Sequence, residues 1–324
     1  FSDGLSEELL NVLAKNPALQ VAARTSSFSL KGEKLEIGEI GRRLNVDHVL
    51  EGSVRKSGDQ VRITAQLIRA DNGYHLWSET YDRNLDDIFA VQDEIAAKIM
   101  AALLPQIVGD ADVEVTQAAS SDYAVPAGAY QAYLLARDHF NRLTISSTQA
   151  AYEELKILVR EHPDYAEAQA LYAHVTLMSS ARMGGEIPWI IAEDQVRRTL
   201  QKASALKPDL PEIYLVEGLL HARSHDPQTA IEFFERAIEL NPSYAEAYLL
   251  LSDAAMNLGR PSQAWEALET ARKLDPISVS TLSSVISRAT ELGQPEVADD
   301  AMRVLHQVAP ASADDLQFHL LYEE

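Results

Sequence analysis

Apolar side chains recur at two different periods along this chain, and the change of period divides it. In residues 3–15, Leu5, Leu9, Val12 and Leu13 fall on one helical face, Ser2 or Asp3 stands ready as a cap, and Pro17 closes the segment. A strand from Leu19 to Arg24 and a helix from Leu35 to Leu44 are expected next. Three strands follow, Val46 to Lys56, Gln60 to Ala70 and Tyr74 to Tyr81. They are joined by Ser57-Gly58-Asp59 and Asp71-Asn72-Gly73, short Gly-containing links that favour a β-meander. In the middle strand Val61, Ile63, Ala65 and Leu67 alternate with Arg62, Thr64 and Gln66, so one face packs and the other is wetter. A helix from Asp86 to Leu104, striped by Ile88, Val91, Ile95 and Ile99, can cover the apolar face, and Pro105 is its expected end.

Beyond that point the pattern is a repeat. Pro208, Pro242, Pro276 and Pro310 stand 34 residues apart, and Pro227, Pro261 and Pro295 form a second ladder of the same spacing. The register holds at Ala230, Ala264 and Ala298, at Phe234, Leu268 and Met302, and at Gly259 and Gly293. Glycine supplies the left-handed residue that ends one helix, and the proline two positions later has its φ preset for the first turn of the next. Asp226 reads as the N-cap of a helix whose stripe of Ala230, Ile231, Phe234, Ala237 and Ile238 needs stacked neighbours to bury it. This unit resembles the tetratricopeptide repeat, matched by residues 211–242, 245–276 and 279–310, with divergent copies at 132–163 and 166–208. The second copy is 11 residues longer, and the excess is expected in the loop from Arg182 to Trp189.

Composition narrows what such a chain can bind. Lys and Arg number 28 against 49 Asp and Glu, a net charge of −21 that repels phosphate backbones, so no direct nucleic acid partner is expected. The charge is −4 over residues 1–108 and −17 over the remainder. Cys is absent, which excludes disulfides and thiolate metal sites. The best apolar run, Ile95 to Leu104, is broken by Lys98 and too short to span a bilayer, so no membrane insertion is expected. Phe1 is neither an initiator Met nor part of a signal-peptide pattern, and the sequence is expected to start inside a longer polypeptide.

Chemistry is sparse. Phosphate-loop, nucleophile-elbow and zinc-helix motifs do not occur. No enzyme activity, cofactor or metal is expected. His221 and His225 stand four apart but straddle an expected helix end, which reads as a turn. Arg24, Thr25, Ser26 and Ser27, placed after the first strand, are candidates for holding an anion or small ligand, or else for capping their own loop. Glu51 (with Gly52 and Ser53), Trp77, Glu79 and Tyr81 are candidates for a recognition surface, against the alternative of cross-strand packing.

The wording of residues 1–98 is itself distinctive: FSDGLSEELLNVLAKNPALQVAARTSSFSLKG, EIGRRLNVDHVLEGSVRKSGDQVRITAQLI and GYHLWSETYDRNLDDIFAVQDEIA. It resembles the periplasmic TolB-type, FlgO-like domain found before tetratricopeptide repeats in bacterial winged-helix regulators, class III adenylate or guanylate cyclases and Ser/Thr kinases. Members of that family normally carry one more strand ahead of the first helix than this sequence does. The fold expected is α+β and multidomain. A small α/β domain (1–108) with a mixed sheet precedes a linker (109–126) and an all-α superhelix of about five hairpins (127–324). The resemblance implies a sensory, protein-binding module of a bacterial signalling protein, extracytoplasmic in a single-pass membrane protein, relaying to an effector outside this sequence. The repeat resemblance implies a concave groove for a protein or peptide, drawn from His174, Met178, Glu212, Leu215, Leu219, Arg223, Glu246, Leu249, Asp253 and Asn257, each with packing or solvation as its alternative. A small-molecule receptor and an oligomerisation scaffold, the latter a homodimer, are the competing readings.

Overall fold

Thirteen residues with leucines at helical spacing form α1 (Ser2–Ala14), after which Pro17 ends any helical continuation. The structure, a computed structural model, describes residues 2–84, 88–108, 125–142, 144–182, 189–313 and 316. Residues 20–23 have no regular structure and belong to no sheet, and a short helix α2 (Arg24–Ser29) begins where the expected strand should end. Helix α3 (Ile37–Leu44) stops at Asn45, whose φ of 54° is the left-handed conformation that Asn tolerates. Then come β1 (His48–Ser57), β2 (Gln60–Arg69) and β3 (His75–Asn84), in the order β1-β2-β3 and antiparallel throughout. The meander is as expected. The sheet is not mixed, because the segment that would have supplied a parallel strand lies elsewhere.

Register assigns the two faces. Val61, Ile63, Ala65 and Leu67 lie opposite Lys56, Val54, Gly52 and Leu50 on one side and Arg83, Tyr81, Glu79 and Trp77 on the other. These four β2 side chains are buried, and α4 (Ile88–Val108) covers them with Val91, Ile95 and Ile99. Each fully buried side chain of this size stabilises the fold by roughly 1.5–3 kcal/mol. The helix runs three residues past Pro105, since a proline near a helix end removes one hydrogen bond without stopping the turns beyond it.

The helical hairpins follow the sequence pattern closely. They are α5 (Ala127–Asn141) with α6 (Ile145–Glu161), α7 (Ala166–Arg182) with α8 (Trp189–Leu206), α9 (Pro211–Arg223) with α10 (Pro227–Leu240), α11 (Ala245–Asn257) with α12 (Pro261–Leu274), and α13 (Val279–Glu291) with α14 (Pro295–Val308). Asp226 caps α10 by accepting from the Thr229 N–H at 3.2 Å. Gly259 and Gly293 turn their hairpins at φ of +68° and +66°, and His225 takes the same register position at 58°. The longer loop expected within the second hairpin lies outside the described residues.

One apolar cluster runs from α1 and the sheet through α4 into α5, α6 and α7. The expected division between two domains is therefore not a division of the core, and the linker lies almost wholly outside the described residues. Gln92 of α4 donates to the buried Tyr130 hydroxyl of α5 at 2.7 Å across this junction. The result is a mostly helical, tetratricopeptide-like superhelix carrying a small three-stranded sheet at one end. Among the described residues no helix is long and apolar enough to cross a membrane.

Candidate functional site

Stacked hairpins place their first helices side by side, here α5, α7, α9, α11 and α13, and these helices together form one face of the array. The structure sorts the expected groove residues by exposure. Arg223, Glu246, Asp253 and Asn257 are exposed, while Met178, Glu212, Leu219 and Leu249 are half-buried. Leu215 is fully enclosed among Phe234, Ala230 and Leu251, so it supports the face from beneath. His174 is also buried, its ring meeting the Phe140 edge at 4.8 Å, with Nε2 3.9 Å from the Glu246 carboxylate.

The amino-terminal segment reaches this part of the molecule. Glu7 of α1 accepts from Arg137 Nε of α5 at 2.5 Å, from Arg24 Nε at 2.7 Å and from the Asn141 amide. Arg137 also donates to Glu8 at 2.9 Å and to the Tyr133 hydroxyl at 2.5 Å, and it lies 4.0 Å from Glu212 of α9. Two carboxylates therefore share one half-buried guanidinium. Burial, reinforced by the Glu7 charge, outweighs the attraction of Arg137 and pushes the Glu8 pKa up to about 7. Burial likewise raises the phenols of Tyr133, Tyr165 and Tyr244 well above their ordinary range, so this tyrosine-rich lining stays neutral.

After α1 the chain crosses to the corners between hairpins. At the α10–α11 corner, Ser243 donates its hydroxyl to the Leu19 carbonyl at 3.3 Å and accepts from the Val21 N–H at 3.1 Å. At the α12–α13 corner, the Ala23 N–H donates to the Leu274 carbonyl at 2.7 Å. Buried Asp275 accepts from both the N–H and the hydroxyl of Ser26, at 3.1 and 2.5 Å, and the Ser26 hydroxyl accepts from the Ile277 N–H at 3.1 Å. Burial raises the Asp275 pKa, and the hydrogen bonds from Ser26 oppose it.

The candidate residues of the small layer thus divide. Arg24 is held between Glu7 and Asp138 and lies over the Phe28 ring at 4.3 Å from its centroid, so its guanidinium is already engaged. Ser26 is fully buried on Asp275, Thr25 is exposed, and Ser27 is half-buried with its hydroxyl 3.5 Å from the Ala22 carbonyl. Together they form a helical turn docked on the repeats, where a strand-end loop was expected. Trp77, Glu79 and Tyr81 do come together: the indole N–H and the phenol both donate to Glu79, at 3.2 and 2.8 Å, with Lys98 of α4 3.7 Å away. The Tyr81 hydrogen bond is the main influence lowering the Glu79 pKa. Glu51 pairs across the sheet with Gln66, which pairs with Ser78, so it lies on the opposite face from that trio.

Asn241, Ser243 and Asp275 were not among the candidates. Their signal in the sequence is a polar residue directly before the repeat proline, Asn241-Pro242 and Asp275-Pro276, at the same register and buried in both repeats. His221 stacks on Phe233 at 5.2 Å and meets Asp226 at 3.3 Å, while His225 forms the left-handed turn. Among the described residues no group of three or more His, Asp or Glu could hold a metal ion.

With this geometry in hand, comparison with known proteins bears on the repeats first. Residues 221–279 match the tetratricopeptide repeat family. A curated relative, the putative adenylate cyclase 3 of Rhizobium meliloti (strain 1021), is 36% identical over 177 residues, which is 55% of this chain and 30% of that protein. The chain thus spans less than a third of that relative's length. Among solved structures, a thermophilic tetratricopeptide-repeat protein of Thermus thermophilus is 17% identical with a TM-score of 0.46, over 58% of this chain and 96% of its own. PilW, a type IV pilus biogenesis factor, is 16% identical with a TM-score of 0.44, over 58% and 80%.

Proposed function

We propose that this chain is a non-catalytic, protein-binding module of a bacterial signalling protein. Its repeat face docks a protein or peptide partner, and the docking is relayed to an effector that lies outside this sequence. The observation that carries the reading is a tetratricopeptide-type array whose inter-hairpin corners already hold a non-helical segment of the chain by its main-chain groups. Similarity to a protein named as an adenylate cyclase, of which this chain spans only a part, supports an effector of the cyclase class. The resemblance of residues 1–98 to the TolB-type, FlgO-like domain supports an extracytoplasmic location. Coupling then follows from differential affinity: a partner that prefers one arrangement of α1 against the repeats biases whatever is joined to that helix.

The test is site-specific photocrosslinking in cells. Benzoylphenylalanine at Asp253 or Asn257, both exposed on α11, is expected to trap a protein partner. The same group at Thr80, on the outer face of the sheet, is expected to trap none. Equal trapping from all three positions, or none from α11, would overturn the reading.

A further inference from the structure

The corners between hairpins form a second docking surface, separate from the face made by the first helices. Two successive corners share a design. Leu240-Asn241-Pro242-Ser243 and Leu274-Asp275-Pro276-Ile277 occupy the same register one repeat apart, and the polar residue before each proline is buried. At the first corner Asn241 accepts from the Ser243 N–H at 3.1 Å, fixing the hydroxyl that grips Leu19 and Val21. At the second corner the carbonyl of Leu274 and the buried carboxylate of Asp275 receive Ala23 and Ser26. The contacts read main chain at residues 19, 21 and 23 and then one hydroxyl. That is the recognition pattern of an extended strand whose alternate groups face the protein.

The segment so held enters the core only at its start, where Leu19 is buried and Ala18 and Val21 pack beside it. Residues 20–24 are exposed or half-buried, and in the six residues of α2 only Ser26 is buried. Helix α2 has no side-chain cap at its N-terminus and is too short to persist alone in water. Past that apolar start, what retains it is polar: Ser26 on Asp275, and Arg24 on Glu7 and Asp138. A covalently tethered segment has an effective concentration in the millimolar range, so weak contacts of this kind suffice to keep the surface filled.

We propose that the corner surface of the third to fifth hairpins is a peptide-binding track, and that residues 18–29 are its built-in competitor. The external ligand it fits is an extended segment of a protein partner, apolar at alternate positions as Leu19, Val21 and Ala23 are, with a hydroxyl that reaches Asp275. Such a ligand binds by displacing the chain's own segment, which frees α2 and loosens Arg24 from Glu7. The inference does not depend on what the face of the first helices binds.

The experiment uses the full chain and a fluorescent peptide covering residues 17–30, read by anisotropy, with amide hydrogen exchange at Val21, Ala23 and Ser26 as the monitor of the tethered segment. Ser26→Ala removes the hydroxyl and its two hydrogen bonds while leaving the corner intact. It is expected to raise exchange at the three amides and to tighten peptide binding by about tenfold or more, the size set by losing a hydrogen bond to a charged group. A peptide carrying alanine in place of its own serine equivalent to Ser26 is expected to lose that gain. Wild type and variant binding the peptide alike would overturn the proposal. So would failure of either to bind it while exchange reports the segment open, and so would unchanged exchange in the variant. Because the readout is a peptide of this chain's own sequence, these outcomes are independent of crosslinking from α11.

Discussion

Gly218 lies in the middle of α9, where glycine costs about 1 kcal/mol relative to alanine. The reason for it is Phe234 of α10. A Cβ on residue 218 would stand 2.4, 2.7 and 3.0 Å from three atoms of that fully buried ring, far inside ordinary contact near 3.5–4.0 Å. The ring cannot retreat without disturbing Ala230, Ile231 and Leu251 of its own cluster. Gly218→Ala therefore sets a gain of about 1 kcal/mol in helix propensity against an overpacking cost of about 1–3 kcal/mol, for a net loss near 1 kcal/mol. The sequence contains its own control. One repeat on, Ser252 and Leu268 hold the same two register positions, and two repeats on they are Ile286 and Met302, so the first-helix residue grows as its aromatic counterpart disappears. In a Phe234→Leu background the clash is relieved, and Gly218→Ala should then stabilise by up to about 1 kcal/mol. Urea denaturation followed by far-ultraviolet circular dichroism on the four proteins gives the coupling energy directly, expected at about 2 kcal/mol. Additive effects within about 0.5 kcal/mol would refute the packing argument.

Two other expectations concern charge and backbone. Glu8 has a folded pKa of about 7 against an ordinary 4.5, so the folded chain binds the extra proton. Its contribution is present below about pH 4.5 and is lost as pH rises through 7, on the order of 3 kcal/mol in all. Glu8→Gln should flatten that part of the stability profile between pH 5 and 8, and an unaltered slope of urea midpoint against pH would contradict it. His225 occupies, at φ 58°, the left-handed position that Gly259 and Gly293 fill in the next two hairpins. His225→Gly should raise stability by about 0.5–1 kcal/mol in thermal melts, and a lowered melting temperature would mean that the imidazole makes a contact worth more than the backbone strain.

The last three hairpins were legible because each carries its own punctuation. A proline at the first turn, a small residue at the close helix contact and a left-handed residue at the turn are local requirements, and 34-residue spacing makes them mutually confirming. The sheet was legible for a similar reason, as Val61, Ile63, Ala65 and Leu67 alternate within one strand. Residues 19–24 were not: a strand is expected there, and the structure has an irregular segment followed by a helix from Arg24. A strand-like stretch implies that main-chain groups want partners and says nothing of who supplies them. The partners turned out to be Ser243 and Leu274, more than 220 residues away. Arg24 illustrates the same limit for the site: an arginine after an extended segment suggests an anion, and here the anion is the chain's own Glu7.

That tether has a consequence for how the molecule responds as a whole. In a solenoid each repeat touches only its neighbours, so a disturbance at one end fades along the array. Here α1 is anchored to α5 through Glu7 and Arg137, and the segment that leaves it binds the α10–α11 and α12–α13 corners directly. The fourth and fifth hairpins are thereby joined to the sheet-bearing end by a route that bypasses the second hairpin. Arg24 stands at the junction, bonded to Glu7 behind it and followed two residues later by the Ser26 anchor. Any change that separates residues 18–29 from the corners removes an interaction shared by both ends. The coupling free energy between the two ends then falls by the strength of that anchor, without passing through the packing between successive repeats.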